Sequence, residues 1–350
     1  MKTLICRIPS QAISGYQKLI NKTIPILERN FNLILLSLDG NNFSGNSSFK
    51  HGKLNRENFK APEIIISSLT LDRYSSLINI LPDKDNISFY TMWESTVLPR
   101  FPVEELNICM NKIFVPSKWT EETFNLSGVK NVEHLSLFVD DSIFTFRPKI
   151  NLDKFTFSAG ACSATSSGNV KRKNFDIILT AFRKAFKGVK DVELRFKISD
   201  CDKPKLSNIL DDRIHFNYNY LTDNEICDYL SESDVFVTSA KAEGWGFFQI
   251  ESLAVGRPVI TPNYGGIKDF CNENNSFFID YSEELASGSW GKNGGCWAEV
   301  KEESLIEQMR YCYENKDSIR HNWQKYSDSV STKFSLKKYE ENIVNRLNQL

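Results

Sequence analysis

The sequence predicts an α/β protein of two tandem Rossmann-like domains facing each other across a cleft. Three observations carry that expectation. Strand-like and helix-like segments alternate along most of the chain, the pattern of parallel sheets with helices packed on them. The 350 residues are about twice the length of a common domain. The alternation also pauses at a linker-like stretch over residues 147–153 and then starts again. Domains are therefore expected at 1–150 and 151–332, with a last helix at 333–350 packing back on the first.

In the first half, strands are expected at 3–8, 32–38, 63–67, 87–90, 112–115 and 132–139. A helix over 16–29 follows a loop through Ser14-Gly15, and a second helix follows Pro116-Ser117. Residues 39–60, rich in Asn, Ser, Gly and Lys, read as a long polar loop. In the second half, a strand at 154–158 leads to a helix over 173–186. Its Phe175, Ile178, Leu179, Phe182, Ala185 and Phe186 share one face. Strands follow at 193–198 and 214–218. Thr222-x-x-Glu225 reads as a capping box, a strand at 235–238 comes next, and residues 303–350 read as helical.

Composition excludes several classes. Apolar content of 41% and charged content of 25% are those of an ordinary soluble globular protein. A net charge of −1 gives no reason to expect a nucleic-acid partner, although Lys171-Arg172-Lys173 is a local basic patch. No apolar run approaches the ~18 residues of a membrane span, and the N-terminus turns polar too soon for a secretory signal. The eight cysteines are scattered without a C-x-x-C pair, which fits free thiols in a reducing, cytoplasmic setting. The sequon Asn46-Ser47-Ser48 then reads as chance.

Chemistry concentrates in KAEGWGFFQIESLAVGRPVITPNYGG, residues 241–266. Glu243 follows the end of a strand, and open parallel sheets bind ligands outside the carboxyl ends of their strands. A helix is expected to start near Gly246 or Phe247, with Phe247, Ile250 and Ala254 on its buried face. Glu251 lies eight residues after Glu243, roughly 12 Å along a helical path. That exceeds the roughly 5–9.5 Å of a glycosidase carboxylate pair. The spacing suits a long ligand gripped at two ends, with the free N–H groups of the helix start receiving a diphosphate between them. Taken singly, either glutamate reads more readily as a solvated surface residue; the pattern as a whole argues against that. Gly265-Gly266 reads either as a plain turn or as backbone lying against a nucleotide.

This segment resembles the nucleotide-sugar signature of retaining glycosyltransferases of family 4, also called group 1, which have the GT-B fold. Residues 155–186 resemble the family's first strand–loop–helix of the C-terminal domain. Thr91-Met92-Trp93-Glu94, Val115-Pro116-Ser117 and Phe138-Val139-Asp140 resemble the end of its N-terminal domain. Residues 295–313 resemble a late segment of a family subset. The resemblance implies transfer of a hexose from a nucleotide-diphosphate sugar to an acceptor hydroxyl. Glu243 matches the glutamate at the transferred sugar, and Glu251 the glutamate on the ribose. Lys173, with Arg172 beside it, matches the lysine on the diphosphate. Backbone at Trp245, Gly246 and Phe247 matches the part that holds sugar hydroxyls and phosphate, and Gly160 matches the glycine of the first C-domain strand. The family uses no metal and no cofactor beyond its donor: cations and helix dipoles stabilise the leaving diphosphate. The implied partners are a nucleotide sugar and a glycan, lipid-linked or protein acceptor, with peripheral contact at the inner membrane face open.

The chain departs from this pattern in two places. Ala161 follows Gly160 where many members have an arginine, so that cation is either missing or replaced by Arg172. None of His51, His134, His215 and His321 stands at the place of the family's N-domain histidine, where Glu94 is the polar candidate. Gly15 is the weak counterpart of the family's glycine-rich loop facing the acceptor. These departures keep a second reading open, a non-catalytic scaffold or regulatory subunit with the same fold. A nicotinamide-dependent enzyme lacks its G-x-G-x-x-G signal.

Overall fold

A computed structural model of the chain describes residues 1–9, 15–38, 61–68, 86–161, 171–198 and 211–350. The expected polar loop at 39–60 and the loop residue Ser14 lie outside them. The chain divides into two compact units. The first comprises Met1–Leu137, Lys292–Gly295 and Lys337–Leu350, and the second Phe138–Gly291 and Cys296–Leu336. The linker expected over 147–153 thus lies inside the second unit.

The first unit runs β1 (Thr3–Ile8), α1 (Gly15–Asn30), β2 (Asn32–Ser37), β3 (Glu63–Ile66), β4 (Ile87–Tyr90), α2 (Arg100–Cys109), β5 (Lys112–Val115), α3 (Lys118–Leu126) and β6 (Val132–His134). Its six strands form one parallel sheet in the order β2-β1-β3-β4-β5-β6. Strands β3 and β4 are buried along their whole length, Glu63 and Ser88 included, as the central strands of a covered parallel sheet should be. Helix α1 buries Leu19, Ile20, Ile24 and Leu27 at helical spacing. Ser117 caps α3 by accepting from the Thr120 N–H at 3.2 Å.

The second unit runs β7 (Phe155–Ala161), α4 (Asp176–Ala185), β8 (Val192–Ile198), β9 (Ile214–Asn217), α5 (Asp223–Ser231), β10 (Val235–Val237), α6 (Phe247–Ala254), β11 (Val259–Pro262) and β12 (Ser276–Ile279). The hairpin β13 (Tyr281–Leu285) and β14 (Cys296–Val300) follows, then α7 (Glu302–Glu314), α8 (Lys316–His321) and α9 (Trp323–Ser331). A last helix, α10 (Leu336–Asn348), joins the first unit through Tyr339 Oη, 2.9 Å from Thr23 Oγ1, and Arg346, which donates to Glu133 at 2.6 Å. The second sheet is parallel in the order β9-β8-β7-β10-β11-β12. Chain order reverses between β7 and β10. Their carboxyl ends therefore flank the topological switch point, where doubly wound sheets bind ligands.

All six residues of the expected apolar face in 173–186 are buried. The helix itself starts only at Asp176, because Asn174 has a left-handed φ of 49° and breaks it from the helical segment that carries Lys173. The Thr222–Glu225 capping box forms in both directions, at 3.3 and 2.8 Å. Among the described residues, no helix is long and apolar enough to cross a membrane.

Arg257 holds the base of this unit. It is fully buried over the Trp323 ring, 4.1 Å from its centroid. It donates to the carbonyls of Ser233, Val255, Arg147 and Ser231 at 2.6–3.0 Å. Burial lowers its pKa to about 10, so the guanidinium is charged at neutral pH. Arg257→Met should destabilise the protein by about 3–5 kcal/mol, because four buried carbonyls lose a charged donor at once. Chemical denaturation would show this, and a loss below about 1 kcal/mol would contradict it.

Candidate functional site

Three chain segments converge beyond the carboxyl ends of β7 and β10. The first is the helical segment Lys171–Lys173, the second the loop 238–246 between β10 and α6, and the third Gly265-Gly266, where a short 3-10 helix starts after β11. Glu243 is their meeting point. Lys173 Nζ donates to Glu243 Oε1, and Arg172 Nη1 lies 3.3 Å from Oε2. Arg172 also donates to the Ala242 carbonyl at 2.6 Å and is only 7% exposed. Its guanidinium stands 5.9 Å from the Trp290 ring centroid. The Lys241 N–H donates to the Arg172 carbonyl at 2.8 Å, which ties the first two segments together through backbone. Burial pushes the Glu243 carboxyl up, but the Lys173 and Arg172 charges outweigh it and hold the carboxyl below its usual range. The group is therefore ionised at neutral pH, one carboxylate between two cations.

Glycine makes this approach feasible. Gly265, at φ 85°, lies so close that an added Cβ would stand 2.7 Å from the Glu243 carbonyl oxygen, and the Gly266 N–H donates to that oxygen at 2.7 Å. Gly265-Gly266 thus clamps the backbone of Glu243. Gly265→Ala combines a steric clash with a left-handed φ. It should cost at least about 1–3 kcal/mol and displace Glu243, so the melting temperature and any activity should fall together. An unchanged melting temperature would refute the clamp.

The helix expected near Phe247 begins there. Its N-cap is Gly246, at φ 105°, with no side-chain cap, so the first turn's N–H groups meet no capping side chain. Residues 243–246 are loop rather than helix, so the 12 Å helical estimate does not hold as drawn. Glu251 lies four residues into α6, about 6 Å along the axis from Phe247, and is 2% exposed. The side chains of this loop face inward. Trp245 packs against Phe270 and Phe334, with ring centroids at 5.1 and 5.6 Å, and Phe247 meets Phe138 at 5.9 Å. The Trp245 side chain is therefore core, while Phe247 keeps partial exposure. Gly160, at the end of β7, has a packing reason as well. Phe248 lies over it, and a Cβ there would come within 3.1 Å of the ring.

The first unit gathers a smaller polar cluster. Gly15 opens α1, and the next residue, Tyr16, accepts at its hydroxyl from the Met92 N–H at 3.0 Å. Thr91 Oγ1 is 3.5 Å from the same hydroxyl. Burial, and then the nearby Glu94 charge, push the Tyr16 phenol well above its usual range. Gly15 and Glu94, far apart in sequence, thus adjoin the same tyrosine. Sequence reasoning misses Tyr16, because its only local sign is a position after a turn glycine. Among the described residues no group of three His, Cys, Asp or Glu side chains could hold a metal ion.

Residues 162–288, about a third of the chain, match the model of a family described as Glycosyl transferases group 1. Comparison with curated proteins gives no significant match. Among solved structures, HepE from Anabaena, in complex with UDP and glucose, is 13% identical with a TM-score of 0.66, each chain covered over 100%. Sucrose-phosphate synthase from Thermosynechococcus elongatus is 12% identical with a TM-score of 0.70, over 100% of this chain and 99% of that one. TarM is 16% identical with a TM-score of 0.59, over 82% of this chain, which spans only 55% of TarM. The fold is GT-B. In GT-B terms, the charged cluster around Glu243 lies in the C-terminal Rossmann-like unit, and the Tyr16 cluster in the N-terminal one.

Proposed function

We propose that the protein is a retaining glycosyltransferase that moves a hexose from a nucleotide-diphosphate sugar to an acceptor hydroxyl without a metal ion. One observation carries the reading: Arg172 and Lys173 converge on Glu243 at the switch point of the second sheet, beside an α-helix start with no side-chain cap. Two fixed cations and a helix start suit a diphosphate. A carboxylate beside them suits a sugar that gains positive charge as its bond to phosphate breaks. The group 1 match over 162–288 includes all these residues. The UDP and glucose held by HepE, and the UDP and GlcNAc held by pneumococcal GtfA, support a nucleotide-sugar donor and favour uridine.

In this reading Lys173 and Arg172 hold the diphosphate, and Glu243 stabilises the sugar at the reacting carbon. Glu251 binds the ribose from α6, and Gly160 lets the end of β7 lie close. Glu94 and Gly15 belong to the acceptor side, with Tyr16 joining them. The acceptor is a glycan, lipid-linked or protein hydroxyl. None of the six described cysteines is in a disulfide, which supports a reducing, cytoplasmic setting, with peripheral contact at the inner membrane face if the acceptor is a lipid.

A thermal-shift screen against UDP, GDP, ADP and their sugars tests this. A ligand that binds only the native state at 100 times its Kd adds about 2.7 kcal/mol of stability. One nucleotide series should therefore raise the melting temperature clearly. No shift with any of them would overturn the reading.

A further inference from the structure

The donor reading leaves the β13–β14 hairpin without a role, yet the hairpin is tied to the same site. Lys241, two residues before Glu243, reaches Glu284 on β13 at 2.5 Å and pairs with Glu299 on β14. The Ala298 N–H donates to the Lys241 carbonyl at 2.9 Å. Tyr264, next to Gly265, donates its hydroxyl to the Cys296 carbonyl at 3.1 Å. The two segments that fix Glu243 therefore also fix the hairpin.

Its tip is built to present one aromatic ring. A Cβ on Gly291 would lie 1.9 Å from the Ala286 carbonyl oxygen, so only glycine lets the chain fold back there. The neighbouring Trp290 rests on buried Trp297, with centroids 5.7 Å apart, and faces the Arg172 guanidinium at 5.9 Å. Trp290 is itself half-buried. The ring thus stands at the edge of the charged cluster around Glu243, between Trp297 and Arg172.

Resting on the donor reading, we infer that Trp290 is a specificity-determining residue for the transferred sugar. A hexopyranose has an apolar C–H face and a rim of hydroxyls. Trp290 supplies an aromatic wall for the face, one guanidinium away from the carboxylate that takes the hydroxyls. Part of the ring's energetic contribution is hydrophobic contact, and part is the cation–π hold on Arg172. The nucleoside diphosphate needs neither face nor rim, so its binding depends on the ring only through the contact with Arg172.

The test compares wild type with Trp290→Ala, Trp290→Phe and Trp290→Leu. Each is titrated with UDP, GDP and ADP and assayed for turnover of the matching sugar nucleotides. Trp290→Ala should lower kcat/KM for sugar transfer at least about tenfold while nucleoside diphosphate Kd rises no more than about fivefold, the scale of one lost cation–π contact to Arg172. Phe should recover more turnover than Leu, because Leu keeps apolar bulk without a face. This comparison remains decisive if the alanine variant fails to fold. Equal turnover in Phe and Leu, wild-type turnover in Ala, or parallel loss of nucleoside diphosphate binding would each overturn the inference. Absence of nucleotide binding by wild type would instead overturn the donor reading beneath it.

Discussion

Glu243→Gln is expected to lower sugar transfer by about a hundredfold or more while nucleoside diphosphate binding stays as tight or becomes tighter. The two effects separate because Glu243 has two relationships. Toward the sugar it is the carboxylate that offsets developing positive charge, and glutamine cannot do that. Toward Lys173 and Arg172 it is a competing anion, paired with both. A diphosphate must share those cations with it. At partly buried separations near 4 Å, a unit charge is worth up to about 4 kcal/mol before solvent and rearrangement reduce it. A net gain of a few-fold to about tenfold in affinity is the expected scale. A direct measurement of Kd and kcat on the same preparation checks this. Loss of binding in step with loss of turnover would show that Glu243 merely holds the loop.

Lys173→Ala should act in the opposite sense, with nucleoside diphosphate affinity falling at least about tenfold and turnover falling further. Its ammonium contacts Glu243 from a segment fixed by the Asn174 break, so no neighbouring backbone can replace it. Negative charge grows on the leaving diphosphate, so a fixed cation stabilises the transition state more than the bound donor. The drop in kcat should therefore exceed the drop in affinity. Arg172 remains in the variant, held by the Ala242 carbonyl, and keeps Glu243 ionised. That explains why folding should survive. Because Lys173 and Glu243 touch, the double variant should not show the sum of the two single effects. Additive kinetics would indicate that they serve separate sites.

Much of this was legible in the sequence because it was periodic or punctuated by glycine. The alternation of apolar runs announced two doubly wound units, and Gly-Trp-Gly marked the start of α6. Strand β3 was readable because full burial leaves the run Ile64-Ile65-Ile66. What escaped was tertiary. Asn174 looks like a helix residue until its φ of 49° shows the break that isolates Lys173. The close approach of Gly265 to the Glu243 backbone, 22 residues back in sequence, has no local sign. Trp245 sits in the middle of the signature and yet packs inward on Phe270 and Phe334. Trp290 carried no periodic signal, because a hairpin tip has none. Its relation to Arg172 exists only once the hairpin closes.

The most direct measurement is a calorimetric titration of wild type and Lys173→Ala with UDP, GDP and ADP. Saturable binding of one nucleotide to wild type, weakened at least about tenfold in the variant, is the predicted result. No binding by wild type, or equal affinity in both proteins, would contradict a diphosphate site built on Lys173, Arg172 and Glu243.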